Sequence, residues 1–357
     1  MTALKYHIAL SSKTDLNAIN QNAQAGKCPS HVVWQMSQIL GAKVYQPGIQ
    51  PILPVDKMRA KIIGSPEHWA LARQLSSQLK EDDVVYCTGE DVGIAIATLC
   101  GAKRHRPKVV AFTQNINRPR GYLALKLFNI ANKIDLFVTA SQAEFLRRYL
   151  HLPENHVYEF YLQPTDISFF TPGAASEKLR PIIGSGGLER RDYQTLADAT
   201  KDLNIDVKIC AVSPNAPARR STFPKVMPSN MSCRFYDWCE LVQLYRDSDI
   251  VVLSLLENKY QAGLTTMFEA MACKRPVIIT RSPGIISDLI DAGIVTGVNP
   301  SDSVGLRDAI EKLLNDPQKA QEQAQRGYEL TLNQYNHSKY VQALVTKLIS
   351  TFGSVNN

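Results

Sequence analysis

The densest chemistry in this 357-residue chain lies between positions 253 and 284, where the polar loop Tyr260-Gln261-Ala262-Gly263 runs into Leu264-Thr265-Thr266-Met267-Phe268-Glu269-Ala270-Met271. The spacing predicts a helix over the second stretch, with Leu264, Met267, Phe268 and Met271 as its buried stripe. Glu269 then falls off the stripe, on the side of Thr265 one turn earlier, free to meet a ligand. The loop delivers unpaired N–H groups and the positive end of a helix dipole, a cradle for an anion such as a diphosphate. Gly263 lets the backbone approach closely. A carboxylate further along accepts hydrogen bonds from both hydroxyls of a ribose. One helix thus addresses both the phosphates and the sugar of a nucleotide.

Other candidates carry less. Gly184-Ser185-Gly186-Gly187 is glycine-rich but matches neither G-x-G-x-x-G nor a phosphate loop, which leaves dehydrogenase and ATPase readings little support. Asp247-Ser248-Asp249 spells D-x-D, but its place at a helix end and strand start predicts capping and turn chemistry rather than metal binding. The seven cysteines are odd in number, form no C-x-x-C pair and have no histidine at ligand spacing, so they read as buried thiols in a reducing cytoplasm. His31 and His337 stand alone. Neither a metal nor a cofactor is expected.

These side chains need a scaffold. Short β-type runs at 6–10, 83–87, 108–113 and 135–140 alternate with segments of helical period, and the alternation restarts after residues 171–175 with runs at 181–184, 207–212, 249–253 and 276–280. That is the mark of parallel βαβ units. Asp192 is placed to cap one helix, and Asp237 with Glu240 forms a capping box before another. Val341, Leu344, Val345 and Leu348 make the apolar stripe of a final helix. The expected fold is α/β: two doubly wound, Rossmann-like domains, 1–170 and 176–332, facing an interdomain cleft, with a C-terminal helix, 333–357, packing back toward the first domain. Ligands of such sheets bind beyond the carboxyl ends of the strands.

Composition agrees with a soluble chain: 45% hydrophobic and 20% charged. The longest uncharged apolar run, 92–102, falls far short of the ~20 residues of a bilayer-spanning helix. The net charge of +7 sits mostly in the first half, where residues 1–170 hold 19 Lys/Arg against 13 Asp/Glu. Nucleic acid, anionic lipid or a phosphorylated substrate could face that excess, although solvated surface explains it more simply.

The donor-loop segment resembles the signature of glycosyltransferase family 4, retaining enzymes of the GT-B fold. Glu269-Ala270-Met271-Ala272-Cys273 with Pro276-Val277 matches the family's second Glu, its Ala-Met-Ala and its Pro-Val, and Gly284 falls where the family keeps a glycine pair. Residues 184–196 resemble the family's strand, Gly-Arg-Leu and Glu-Lys-Gly stretch. In that register Arg191 replaces the diphosphate-binding Lys, Gly186 stands where the partner Arg would be, and Arg190 is the neighbouring substitute. Gln261 occupies the place of the family's first Glu, an amide that binds hydroxyls but carries no negative charge. Gln114 and Asn115 follow a strand where relatives often present a His.

The resemblance implies a metal-independent hexosyltransferase that moves a sugar from a nucleotide-diphosphate sugar to a hydroxyl acceptor, a glycan or lipid-linked molecule. Arg191, Gln261 and Gln114 would be the catalytic group. Gly186, Gly187, Arg190, Ala262, Gly263, Leu264, Thr265 and Glu269 would bind the donor, and Asn115, Arg118 and Arg120 the acceptor. No nucleic acid partner is expected. The protein would be cytoplasmic, and the basic segment 118–133 would allow peripheral contact with anionic lipid at the inner membrane face. The rivals are a non-catalytic sugar-nucleotide or glycan-binding protein and a nucleotide-sugar epimerase of the same architecture.

Overall fold

A computed structural model describes residues 4–211, 222–258 and 261–354. Contacts divide the chain into two units: Met1–Asn20, His31–Leu162 and Val341–Asn357 form one, and Gln21–Ser30 with Gln163–Tyr340 form the other.

The first unit holds six parallel strands, β1 (Lys5–Ala9), β2 (Lys43–Tyr45), β3 (Asp83–Cys87), β4 (Lys108–Thr113), β5 (Leu136–Thr139) and β6 (Val157–Glu159), in the order β2-β1-β3-β4-β5-β6. Val84, Val85, Val109, Val110, Leu136, Phe137 and Val138 are fully or nearly fully buried because helices cover both faces of the sheet. The apolar run at 92–102 belongs to the helix Glu90–Cys100, buried in this core. The final helix, His337–Phe352, buries Leu344 and Leu348, and the Tyr6 hydroxyl donates to the Gly353 carbonyl at 2.7 Å.

The second unit repeats the plan with β7 (Ile182–Gly186), β8 (Asp206–Cys210), β9 (Met231–Arg234), β10 (Ile250–Leu253), β11 (Val277–Thr280) and β12 (Thr296–Val298), in the order β12-β11-β10-β7-β8-β9. All pairs are parallel. Along β10 the side chains alternate between two cores. Val251 and Leu253 pack with Met267 and Phe268 on one face, while Ile250 and Val252 pack with Leu196 and Ile310 on the other. The chain leaves β7 toward β8 on one side and later continues from β10 on the other. The crevice between β7 and β10 is therefore a topological switch point, where such sheets bind ligands.

β8 ends at Cys210, and Val212, its expected end, lies outside the described residues. One expectation changes. Of the cysteines expected to be buried, Cys233 and Cys239 are exposed: Cys233 sits on the sheet edge β9 and Cys239 in the first turn of the helix Trp238–Asp247. No disulfide joins any of the seven.

Candidate functional site

β7 ends at Gly186, and the chain turns at Gly187 with φ +88°, a left-handed conformation that favours glycine. A Cβ there would also stand 2.7 Å from Arg191 Nη2. The following residues are tied to those after β10. The Arg190 carbonyl accepts from Leu256 N–H at 2.8 Å, and Asp192 N–H donates to the Ser254 carbonyl at 2.9 Å, flanking an antiparallel bridge between Arg191 and Leu255. Asp192 then caps the helix Tyr193–Thr200 through Thr195 N–H, as its spacing predicted.

This clamp aims Arg191 inward. The side chain is buried, 3% exposed, with Nε donating to the Gly186 carbonyl at 2.6 Å, Nη1 to the Glu189 carbonyl at 3.1 Å and Nη2 to Thr266 Oγ1 at 3.3 Å. Among the described residues no carboxylate forms an ion pair with it. A buried guanidinium held by neutral oxygens, with donors of its fork still unused, is a cation awaiting an anion.

Glu269 rises from the helix Leu264–Ala272, which starts at Gly263. From Thr266 onward the helix is buried all round, and Glu269, off the apolar stripe as expected and only 8% exposed, faces a cavity from a buried position. Only Thr265, one turn earlier, is exposed. The Glu269 carboxylate accepts from the Tyr245 hydroxyl at 2.9 Å. Burial pushes its pKa up to about 7, against the Tyr245 hydrogen bond and the Arg191 charge, which both favour the ionised form. Burial and the neighbouring carboxylate together push the Tyr245 phenol well above its usual range. Tyr245 comes from the helix Trp238–Asp247, which the predicted Asp237/Glu240 capping box opens. Nothing in the sequence singled out Tyr245, since its pairing with Glu269 spans 24 residues.

Gly186, Gly187, Arg191, Gly263, Thr265 and Glu269 line one cavity of ≈ 310 Å³ at the carboxyl ends of β7 and β10. It has the dimensions of a small ligand pocket. A smaller cavity of ≈ 170 Å³ shares Thr265 and Glu269 and is bounded by Ser30, Asp166 and His337. His337 is therefore not isolated. Its Nδ1 lies 2.9 Å from Ser30 Oγ, which is itself 2.8 Å from Asp166 Oδ2.

The other candidates are placed differently. Arg190, with φ +56°, donates to the Glu257 carbonyl and does not line the cavity. Gln261 packs over Gly284, φ +82°, where any Cβ would collide with its amide, and it also lies outside the cavity lining. Ala262 is buried and Leu264 packs on the apolar core, so their contribution is to hold the loop. Tyr260 lies outside the described residues. Gln114 and Asn115 belong to the first unit and are exposed, with their N–H groups donating to the Glu90 carboxylate at 2.9 and 3.3 Å. Arg118 is paired with Asp91, while Arg120 is exposed. Asp247 accepts from Ser176 N–H and Gln243, and Asp249 pairs with Lys178, so the D-x-D carboxylates tie this helix end and strand start to residues 176–178 instead of capping a helix or closing a turn. Among the described residues no group of His, Cys, Asp and Glu side chains could hold a metal ion, and no helix is long and apolar enough to cross a membrane.

Comparison with known proteins adds to this geometry. Residues 182–316 match the model of the family Glycosyl transferases group 1. A search of curated proteins finds no matching sequence. Among solved structures, sucrose-phosphate synthase from Thermosynechococcus elongatus superposes with a TM-score of 0.70 at 14% identity, over 98% of this chain and 99% of that one. HepE of Anabaena, solved with UDP and glucose, gives 0.65 at 14% identity, over 97% and 100%. A trehalose-6-phosphate synthase studied for glycosyl transfer with retention gives 0.68 at 11% identity, over 97% and 99%. Two parallel six-stranded sheets flanked by helices and GT-B neighbours establish the fold as GT-B, and the family match over the switch-point unit supports a glycosyltransferase.

Proposed function

We propose that this protein is a retaining glycosyltransferase that moves a sugar from a nucleotide-diphosphate donor to a hydroxyl acceptor. The observation that carries the reading is the convergence of a buried, carboxylate-free Arg191 and a buried Glu269 on one cavity at a switch point. The unused guanidinium donors and the N–H groups after Gly263 take the diphosphate. The Glu269 carboxylate takes the ribose hydroxyls, with Tyr245 fixing its orientation. The binding of UDP and UDP-glucose by the fold neighbour HepE makes these the first probes.

In the reaction, the acceptor oxygen forms a bond to the anomeric carbon as the bond to the diphosphate oxygen breaks, and the leaving phosphate carries off the acceptor's proton. Negative charge grows on the departing diphosphate, where Arg191 is already oriented, so its stabilisation costs little reorganisation. This route needs no protein base, in keeping with the exposed amides Gln114 and Asn115 where relatives present a His. A lipid-linked acceptor would meet the helix Pro119–Leu127, which leaves Leu123 55% and Leu127 57% exposed between Arg120 and Lys126.

Titration calorimetry with UDP on the native chain and on Glu269→Gln and Arg191→Lys tests the site. Equal affinity in all three would overturn it. Acceptor-dependent release of nucleotide diphosphate, with the anomeric configuration of the product read by NMR, separates a retaining transferase from an epimerase or a binding protein.

A further inference from the structure

The first unit carries a cavity of ≈ 680 Å³ that the donor reading does not use. It lies at the carboxyl ends of β1 and β2, where Leu10 N–H donates to the Tyr45 carbonyl at 2.9 Å and Thr14 N–H to Gln46 Oε1 at 2.9 Å. The volume is within the range of about 300–1,000 Å³ for ligand pockets.

Its lining is unlike that of the Arg191 cavity. Five side-chain amides, Asn17, Gln38, Gln46, Gln50 and Gln74, surround it together with the half-buried aromatics Trp34 and Tyr45. Gln50 Nε2 donates to Gln74 Oε1 at 2.5 Å, and that leaves Gln50 Oε1 buried with no partner, an acceptor that asks for a hydroxyl or amide donor. Charges are few. Lys13 and Lys43 are its two cations, Lys43 lying over the Tyr45 ring at 5.2 Å; Asp15, engaged by Ala18 N–H at the start of a helix, offsets one of them, and no arginine lines the space. Without a guanidinium fork the cavity lacks the bidentate geometry that selects phosphate or carboxylate. Amides both donate and accept, which suits vicinal hydroxyls, and aromatic faces suit the C–H faces of pyranose rings.

We infer that this cavity binds a neutral saccharide of more than one ring through Trp34, Tyr45 and the Gln50–Gln74 amide pair. The inference is independent of the nucleotide reading, and its test is separate. Saturation-transfer NMR on the full chain with maltotriose, cellotriose and chitotriose should detect at least one of them. Trp34→Ala and Gln50→Leu should each weaken that binding by about tenfold or more while leaving UDP affinity unchanged. Glu269→Gln should leave saccharide binding as it was. Failure of all three trisaccharides to bind, binding that survives both substitutions, or tighter binding of glucose 6-phosphate than of the neutral sugars would overturn the inference. Far-UV circular dichroism separates loss of binding from loss of fold, and Gln50→Leu keeps the test open if Trp34→Ala does not fold.

Discussion

The two units share a doubly wound plan and surface ion pairs, but differ in the burial of one cation. In the first, arginines lie at or near the surface and meet carboxylates, as in Arg106–Asp135, Arg118–Asp91 and Arg147–Glu159. In the second, Arg191 is buried against carbonyls and a hydroxyl, beside a buried carboxylate that it does not pair. The half with the large positive excess thus neutralises much of it locally, while the nearly neutral half keeps one cation in reserve. Net charge counts solvated side chains; a binding site depends on where a charge has been stripped of water.

The contrast can be broken most sharply at Arg191. Arg191→Ala should lower UDP-glucose affinity by about a hundredfold or more, the loss expected for a buried charge-assisted pair, in calorimetry at fixed salt. Charge reversal at exposed Arg120 should change that affinity less than about twofold, the scale of a screened surface charge.

Glu269 gives the next largest effect. A carboxyl raised from 4.5 to about 7 is neutral in both folded and unfolded chains below pH 4.5, and its buried charge costs stability as pH rises through about 7. Glu269→Gln should therefore match the native chain in chemical denaturation near pH 4.5 and exceed it by up to about 3 kcal/mol above pH 7. Ribose hydroxyls favour the ionised form, so UDP-glucose affinity of the native chain should fall as pH drops below about 7. The donor's diphosphate does not titrate there, and the affinity of Glu269→Gln should be flat.

At Gly187, Gly187→Ala adds strain at φ +88° and crowds Arg191 Nη2, and should cost about 1–3 kcal/mol of stability together with part of the UDP affinity. The smallest effect belongs to the first unit. Binding to anionic liposomes should weaken several-fold in Lys126→Glu, fade with salt and leave UDP affinity unchanged.

The strands that the sequence revealed are those inside the sheets, several of them buried on both faces. β3 and β4 read as apolar runs with their true boundaries, and β7, β10 and β11 were off by a residue or two. The four that it missed, β2, β6, β9 and β12, are the sheet edges, three or four residues long and partly exposed. An edge strand has one neighbour and little core to fill, so its composition carries little pattern. The site divides the same way. Arg191, Gly263 and Glu269 were readable from a local segment, whereas Tyr245 and the Ser30–Asp166–His337 cluster arise from contacts across the chain. Helical period separated Glu269 from the apolar stripe but could not show that its own side is buried too, because this helix has almost no wet face.

The backbone bonds on either side of Arg191 have a consequence for how the chain can vary. With Arg190 and Asp192 both locked to the segment of residues 254–256 that follows β10, one residue added or removed within 188–190 would slip the register and swing the guanidinium away from its carbonyl partners. Length changes can accumulate in most connecting loops at modest cost. Between Gly187 and Arg191 the tether acts as a fixed ruler, and tolerance there should be confined to side-chain identity.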